Sequence, residues 1–377
     1  MVESAVCAVK AAVRGVRRKF RFRKSRFRPA RILQDGNEWV ANAACSDKLS
    51  RKADRRANFP GTVRQDHRCP VNYAGPATSG EDRVNSSNNR KLAIGLNISP
   101  IQAPELVAAA RRAEELGFGA LFIGEHIAVP VTLHTPYPGK VGYNAMTYQY
   151  EPYVALAHLA AVTSKVRLGT GISVLPIREP LQTARAIATV DVLSNGRLDL
   201  AVGVGSIEEE FEVMGFDHAT RGARIDEMIE IFTRLFTEEH PAYQGEHYRF
   251  REIGFEPKPV QKPRPPIFMG AVTKAGLKRT ARVADGWYAA VYSPDDAAEV
   301  IAGISTHLAE YGRDPAQFRY SLIHAAGEPI LPTVEECRRY AELGVETLIV
   351  SPFGLVAKDA VAKIEEVAKA LDFIITA

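Results

Sequence analysis

Cysteine is scarce. There are four in 377 residues, and Cys7, Cys45 and Cys69 fall in the first quarter, leaving Cys337 alone in the remainder. No CxxC and no Cys/His pair has metal-ligand spacing, and a single cysteine cannot build a disulfide framework. This usage fits a reducing, cytoplasmic setting. Long apolar runs are also missing, none approaching the roughly 18 residues that a membrane span needs. Arg17-Arg18-Lys19-Phe20 has the look of a twin-arginine signal, but the apolar stretch that must follow is replaced by the basic run Arg21–Arg31. No Ser-His-Asp spacing, HExxH or P-loop is present, so metal-assisted and nucleophilic catalysis lack their residues.

What is present divides sharply by charge. The net charge is only +4, yet residues 1–91 hold 21 Lys/Arg against 8 Asp/Glu, and the remainder holds 27 against 36. The body is therefore acidic and the excess of cations belongs to the arm. RRKFRFRKSRFRPAR interleaves cations with aromatics, a pattern that can neutralise phosphates and stack on bases. The same segment has no apolar periodicity on which to fold. Residues 1–90 therefore read as a basic, low-order extension, or as translation from a start codon set too far upstream. A nucleic-acid-binding arm is the competing reading.

From Lys91 the pattern alternates. LAIGLNI (92–98), ALFIGEH (120–126), VRLGTGISVL (166–175) and RLDLAVGVG (197–205) read as strands. So do PPIFMGA (265–271), GWYAA (286–290), FRYSLIHAA (318–326) and ETLIVSPF (346–353). Helices are expected over 104–117, 151–163, 180–193, 220–237, 274–284, 294–312, 333–343 and 358–371. A Pro-rich insertion with one short strand, HYRFRE, follows the fourth helix at 238–265. Eight short strands, apolar on both faces and alternating with helices over about 285 residues, predict an α/β fold of the closed (β/α)8 type, residues 91–377.

In such a barrel the chemistry sits at the carboxyl ends of the strands. Glu125-His126 closes the second strand there, where an imidazole can hold or move a proton near neutral pH. GVGSIEEEF (203–211) lacks the third glycine of a dinucleotide fingerprint. Glu208, Glu209 and Glu210 would also repel a pyrophosphate at that turn, although all three suit a helix N-terminus. Gly270-Ala271-Val272-Thr273 opens a helix bearing Lys274, Lys278 and Arg279, which suits either a phosphate or a tight turn with a solvated face. Trp287 is a candidate cover for a cofactor tail, or plain barrel packing.

VRLGTGISVLP, NGRLDLAVGVGSIEEEF, PPIFMGAVTKAG and ADGWYAA together resemble the luciferase-like monooxygenase superfamily, and within it the coenzyme F420-dependent (deazaflavin) oxidoreductases. The resemblance runs from about Lys91 to the C-terminus. It implies a (β/α)8 TIM barrel that moves a hydride between F420 and a small organic substrate. It also implies that Gly171-Ile172 matches a non-prolyl cis peptide forming a bulge behind the ring, and that Gly203, Gly205 and Ser206 line the ring edge. His126 matches a histidine packed near the reactive carbon, and Glu208 aligns with an active-site carboxylate. The GIS bulge and the short loop after the fourth strand lean toward F420. The alternative is an FMN-dependent two-component monooxygenase supplied by a partner flavin reductase. A homo-oligomer, as a dimer, with no membrane attachment is expected.

Overall fold

Along each strand of this computed structural model one set of side chains faces the helices and the other fills the barrel. The description covers residues 91–372 apart from 136–146, 292, 326–330 and 355–356, so the expectation for residues 1–90 lies outside it. In chain order the first half runs β1 (Ala93–Asn97), α1 (Ala103–Glu115), β2 (Ala120–Ile123), α2 (Pro152–Ala160), β3 (Arg167–Val174), α3 (Pro180–Leu193), β4 (Leu198–Gly203), α4 (Glu208–Met214) and α5 (Arg221–Thr237). A two-stranded antiparallel hairpin follows, β5 (Tyr243–Gln244) with β6 (Arg249–Phe250). The second half is β7 (Ile267–Met269), α6 (Lys274–Val283), β8 (Gly286–Val291), α7 (Pro294–Glu310), β9 (Arg319–His324), α8 (Val334–Glu342), β10 (Val345–Val350) and α9 (Ala360–Ala370).

Eight of these strands close into one parallel barrel in the order β1-β10-β9-β8-β7-β4-β3-β2. The (β/α)8 expectation holds, with the hairpin as the insertion after the fourth major helix. The insertion contains two paired strands rather than one.

Closure follows from two-faced apolarity. Ile94, Leu96, Leu121, Ile123, Leu198, Leu200 and Val202 are buried against the helices, whereas Ala120, Phe122, Ala201, Phe268, Tyr288 and Ile349 pack together inside the barrel. A strand buried on both faces finds that environment only between a helix layer and a closed interior. Helix starts are written locally. Glu151-Pro152 and Glu179-Pro180 each place a capping carboxylate before a first-turn proline, and the two side chains accept from Val154 N and Gln182 N.

Charge closes the amino end of the barrel. Arg167 Nε lies 2.6 Å from Asp199 Oδ2, and Arg319 Nε lies 2.6 Å from Glu346 Oε2. Arg319 Nη1 also approaches Asp199 at 3.7 Å and its guanidinium covers the Phe268 ring. The opposite, carboxyl end is therefore the mouth. No helix among the described residues is long and apolar enough to cross a membrane.

Candidate active site at the barrel mouth

The floor of the mouth is built by β3. The Gly171-Ile172 peptide is cis, and pairing with β4 shifts register between Thr170 and Ser173 at this point. This bulge turns Ile172 across the barrel. A methyl group added at Gly203 would lie 2.4 Å from Ile172 Cδ1, and one at Gly270 would lie 3.0 Å from it. Beneath the bulge, a methyl at Gly171 would meet Tyr288 Oη at 2.3 Å. These three glycines are thus accounted for by internal packing: they admit Ile172 from above and the Tyr288 phenol from below. Gly205 is different. Its φ of +81° belongs to the left-handed region, and an added Cβ would strike Phe211 at 2.6 Å and Val174 at 2.8 Å. Its smallness serves the turn from β4 into α4.

Strand β2 delivers Gly124, Glu125 and His126. Glu125 is buried, with Arg178 Nε donating to Oε1 at 2.8 Å and Ser173 Oγ donating to Oε2 at 2.8 Å. Arg178 continues through Nη2 to Glu151 at 2.7 Å, and Tyr153 Oη donates to Ser173 at 3.1 Å. Burial pushes the Glu125 carboxyl up, and the Arg178 charge opposes that push. The network ties the exit of β2 to the exit of β3.

His126 sits at the mouth, its side chain 11% exposed, with Nδ1 2.9 Å from Glu210 Oε2. The other carboxylate oxygen, Oε1, accepts from Ile127 N at 2.8 Å and Ala128 N at 3.3 Å. An ionised carboxylate only accepts, so with Glu210 in that form Nδ1 would donate to it. The imidazole is thereby held in one orientation.

The resemblance implies Glu208 as the site carboxylate, whereas the carboxylate bonded to this imidazole is that of Glu210. Glu208 is exposed on the first turn of α4, and its charge is felt by His218. Glu210, two residues on, reaches His126. The signal was available: Ile207 and Phe211 fix the buried face of this turn, and Glu210 lies three residues after Ile207 on that same face. The run of three glutamates concealed which one turns inward. Arg178 and Ser173 were likewise missed, because nothing local in the sequence pairs them with Glu125.

The remaining candidates divide. Ser206 is exposed at the mouth after Gly205. Ala271 follows β7, and its carbonyl accepts from Trp287 Nε1 at 2.8 Å. Trp287 is buried in the core shared with the helices, as the packing alternative of its two readings has it, and its Nε1 pins the Ala271 turn. Thr273 caps α6 through Gly276 N. Of the cations there, Arg279 is committed to Asp226 at 2.9 Å, Lys278 stands 3.9 Å from Glu310, and Lys274 is exposed.

A closed parallel barrel with its polar machinery at the carboxyl end defines a class, and comparison with known proteins supplies the family. Residues 84–351 match the luciferase-like monooxygenase family model, and the chain belongs to that family. An uncharacterized protein of Mycobacterium tuberculosis is 32% identical over 271 residues, 70% of this chain and 93% of that protein. The oxygenase component of flavin-dependent trigonelline monooxygenase from Acinetobacter baylyi is 32% identical over 169 residues, 44% of this chain and 42% of that protein. Among solved structures, coenzyme F420-dependent tetrahydromethanopterin reductase from Methanopyrus kandleri superposes with a TM-score of 0.58 at 19% identity, over 75% of this chain and 99% of its own.

Proposed function

We propose that the protein is an oxidoreductase that binds coenzyme F420 across the barrel mouth and works on a small organic substrate, with His126 as the proton-handling group. The observation that carries this reading is the imidazole at the carboxyl end of β2, fixed through Nδ1 by a buried carboxylate. A ring fits the site. The floor is apolar where Ile172 caps the barrel interior, and the mouth is rimmed by Ser206, Ala271 and the exposed Val272. Ile172 would back the ring, with Gly203 and Gly270 beneath it giving Ile172 its seat. Gly171 and Gly205 would hold the bulge and the turn, and the Ala271–Thr273 turn with Lys274 would face a phosphate. Trp287 would act only through the Ala271 carbonyl. A bound deazaflavin supplies or accepts the hydride.

His126 gives a proton to the substrate or takes one from it as the hydride moves, and Glu210 stabilises the imidazolium formed in the second case. Glu208 faces solvent and has no part in that step. The four-residue link between β4 and α4 supports F420. A second reading, an FMN-dependent monooxygenase served by a flavin reductase, is favoured by the likeness to the trigonelline oxygenase. The barrel, residues 91–377, would carry the whole of either activity.

The test follows F420 absorbance against a panel of alcohols and carbonyl compounds. His126→Ala should keep cofactor affinity within about tenfold yet cut turnover by at least about 10²-fold. Normal turnover in that variant would reduce His126 to a packing residue.

A further inference from the structure

In the barrel, β3 stands between β2 and β4. A contact from the exit of β2 to the helix that follows β4 must therefore span the carboxyl end of β3, the strand that carries Gly171-Ile172. The segment leaving β2 makes that contact twice. Its near end is held by Glu210, which takes His126 Nδ1, Ile127 N and Ala128 N. Its far end is held by Glu209, whose Oε1 accepts from His134 N and, at 2.8 Å, from Thr135 N. Two adjacent carboxylates on one helical turn thus gather donors from points seven residues apart on a single segment.

We propose that residues 127–135 form a strap across the mouth over β3, that Glu209 is the positioning residue fixing its far end, and that the strap sets how far a ring bound in the mouth is open to solvent. The proposal rests on the functional reading above for its ring. The strap itself rests on the hydrogen bonds alone.

The two carboxylates hold different things. Glu210 is buried and orients the imidazole as well as the chain, whereas Glu209 is engaged by the strap, through the His134 and Thr135 backbone and the Thr135 side chain, and by its own turn. Its own N–H, then those of Thr135 and His134, hold the Glu209 carboxyl down to about 2, so it is a full anion across the working range of pH. Charge-assisted bonds to backbone N–H groups are the stronger kind, and these are the strap's described attachments at this end. Removing Glu209 should release the far end while leaving His126 in place.

The experiment compares the full chain with Glu209→Ala, Glu209→Gln and the exposed control Glu212→Ala. Amide hydrogen exchange and iodide quenching of bound F420 or FMN fluorescence are the two readouts. In Glu209→Ala the His134 and Thr135 amides should exchange at least about tenfold faster, while Ile127 and Ala128 change less than about threefold. Iodide should quench the bound cofactor at least about twice as efficiently, and Glu209→Gln, which keeps a carbonyl acceptor, should fall between. Glu212→Ala should match the parent chain. Unchanged exchange at His134 and Thr135 would overturn the strap, as would equal acceleration at all four amides. If Glu209→Ala does not fold, Glu209→Ser is read by the same criteria. Failure of both F420 and FMN to bind would sink the functional reading, while the exchange rates would still decide on the strap.

Discussion

Glu125 and Arg178 form a buried pair whose members fare unequally when one is lost. Glu125 has no exposed side-chain surface and Arg178 has 12%. Removing the cation leaves a carboxylate inside the protein with only Ser173 for company, and a lone buried charge costs about 3–5 kcal/mol. Arg178→Met should therefore lower unfolding stability by that amount in urea denaturation. Glu125→Leu/Arg178→Met together should recover most of it, because neither charge is then stranded. A double variant as unstable as the single one would show that the pair matters for something other than its charges. At this scale the sequence was only partly legible. His126 could be picked out because it follows a strand at the end where barrels do chemistry. Its partner Glu210 was hidden in a run of like residues, and Arg178 acts from 53 positions away.

Elements were more legible than contacts. Short runs apolar on both faces and the helical stretches between them marked the eight barrel strands and eight large helices because each signal is local. The seven-residue helix α4 showed in the sequence only as three glutamates that suit a helix N-terminus, since about two turns carry too little periodicity to mark an element. The pair β9 and α8 holds a titratable group outside the mouth. His324 ends β9, is 3% exposed, and its two ring nitrogens have no hydrogen-bond partner among the described residues. Its ring meets Tyr340 of α8 edge-on at 6.2 Å. Burial lowers the proton affinity of His324 despite the nearby charge of Glu336. The unfolded chain therefore takes up this proton at a higher pH than the native one does. The stability due to neutral His324 is complete above the ordinary imidazole value of about 6.5 and declines as pH falls below it toward the depressed native value. Urea midpoints across that range should fall with acidity in the parent chain and flatten in His324→Leu. Parallel slopes in the two proteins would assign the acid sensitivity elsewhere.

For the whole molecule, the barrel follows from the count and two-faced apolarity of its strands, and membership of the luciferase-like family agrees with it. The mouth was legible as a place but not as a mechanism. Gly171, Gly203 and Gly270 make room for Ile172 and Tyr288, a packing relation that no spacing along the chain encodes. The acidic balance of the body beside the basic first 91 residues keeps the nucleic-acid reading to that first segment. The central claim is that this mouth is a deazaflavin site, and titration of the full chain with F420 and, separately, with FMN, followed by cofactor fluorescence, tests it most directly. Saturable one-to-one binding of F420, retained within about tenfold in His126→Ala, is the predicted result. Binding of FMN alone would contradict the choice of cofactor, and binding of neither would contradict the site.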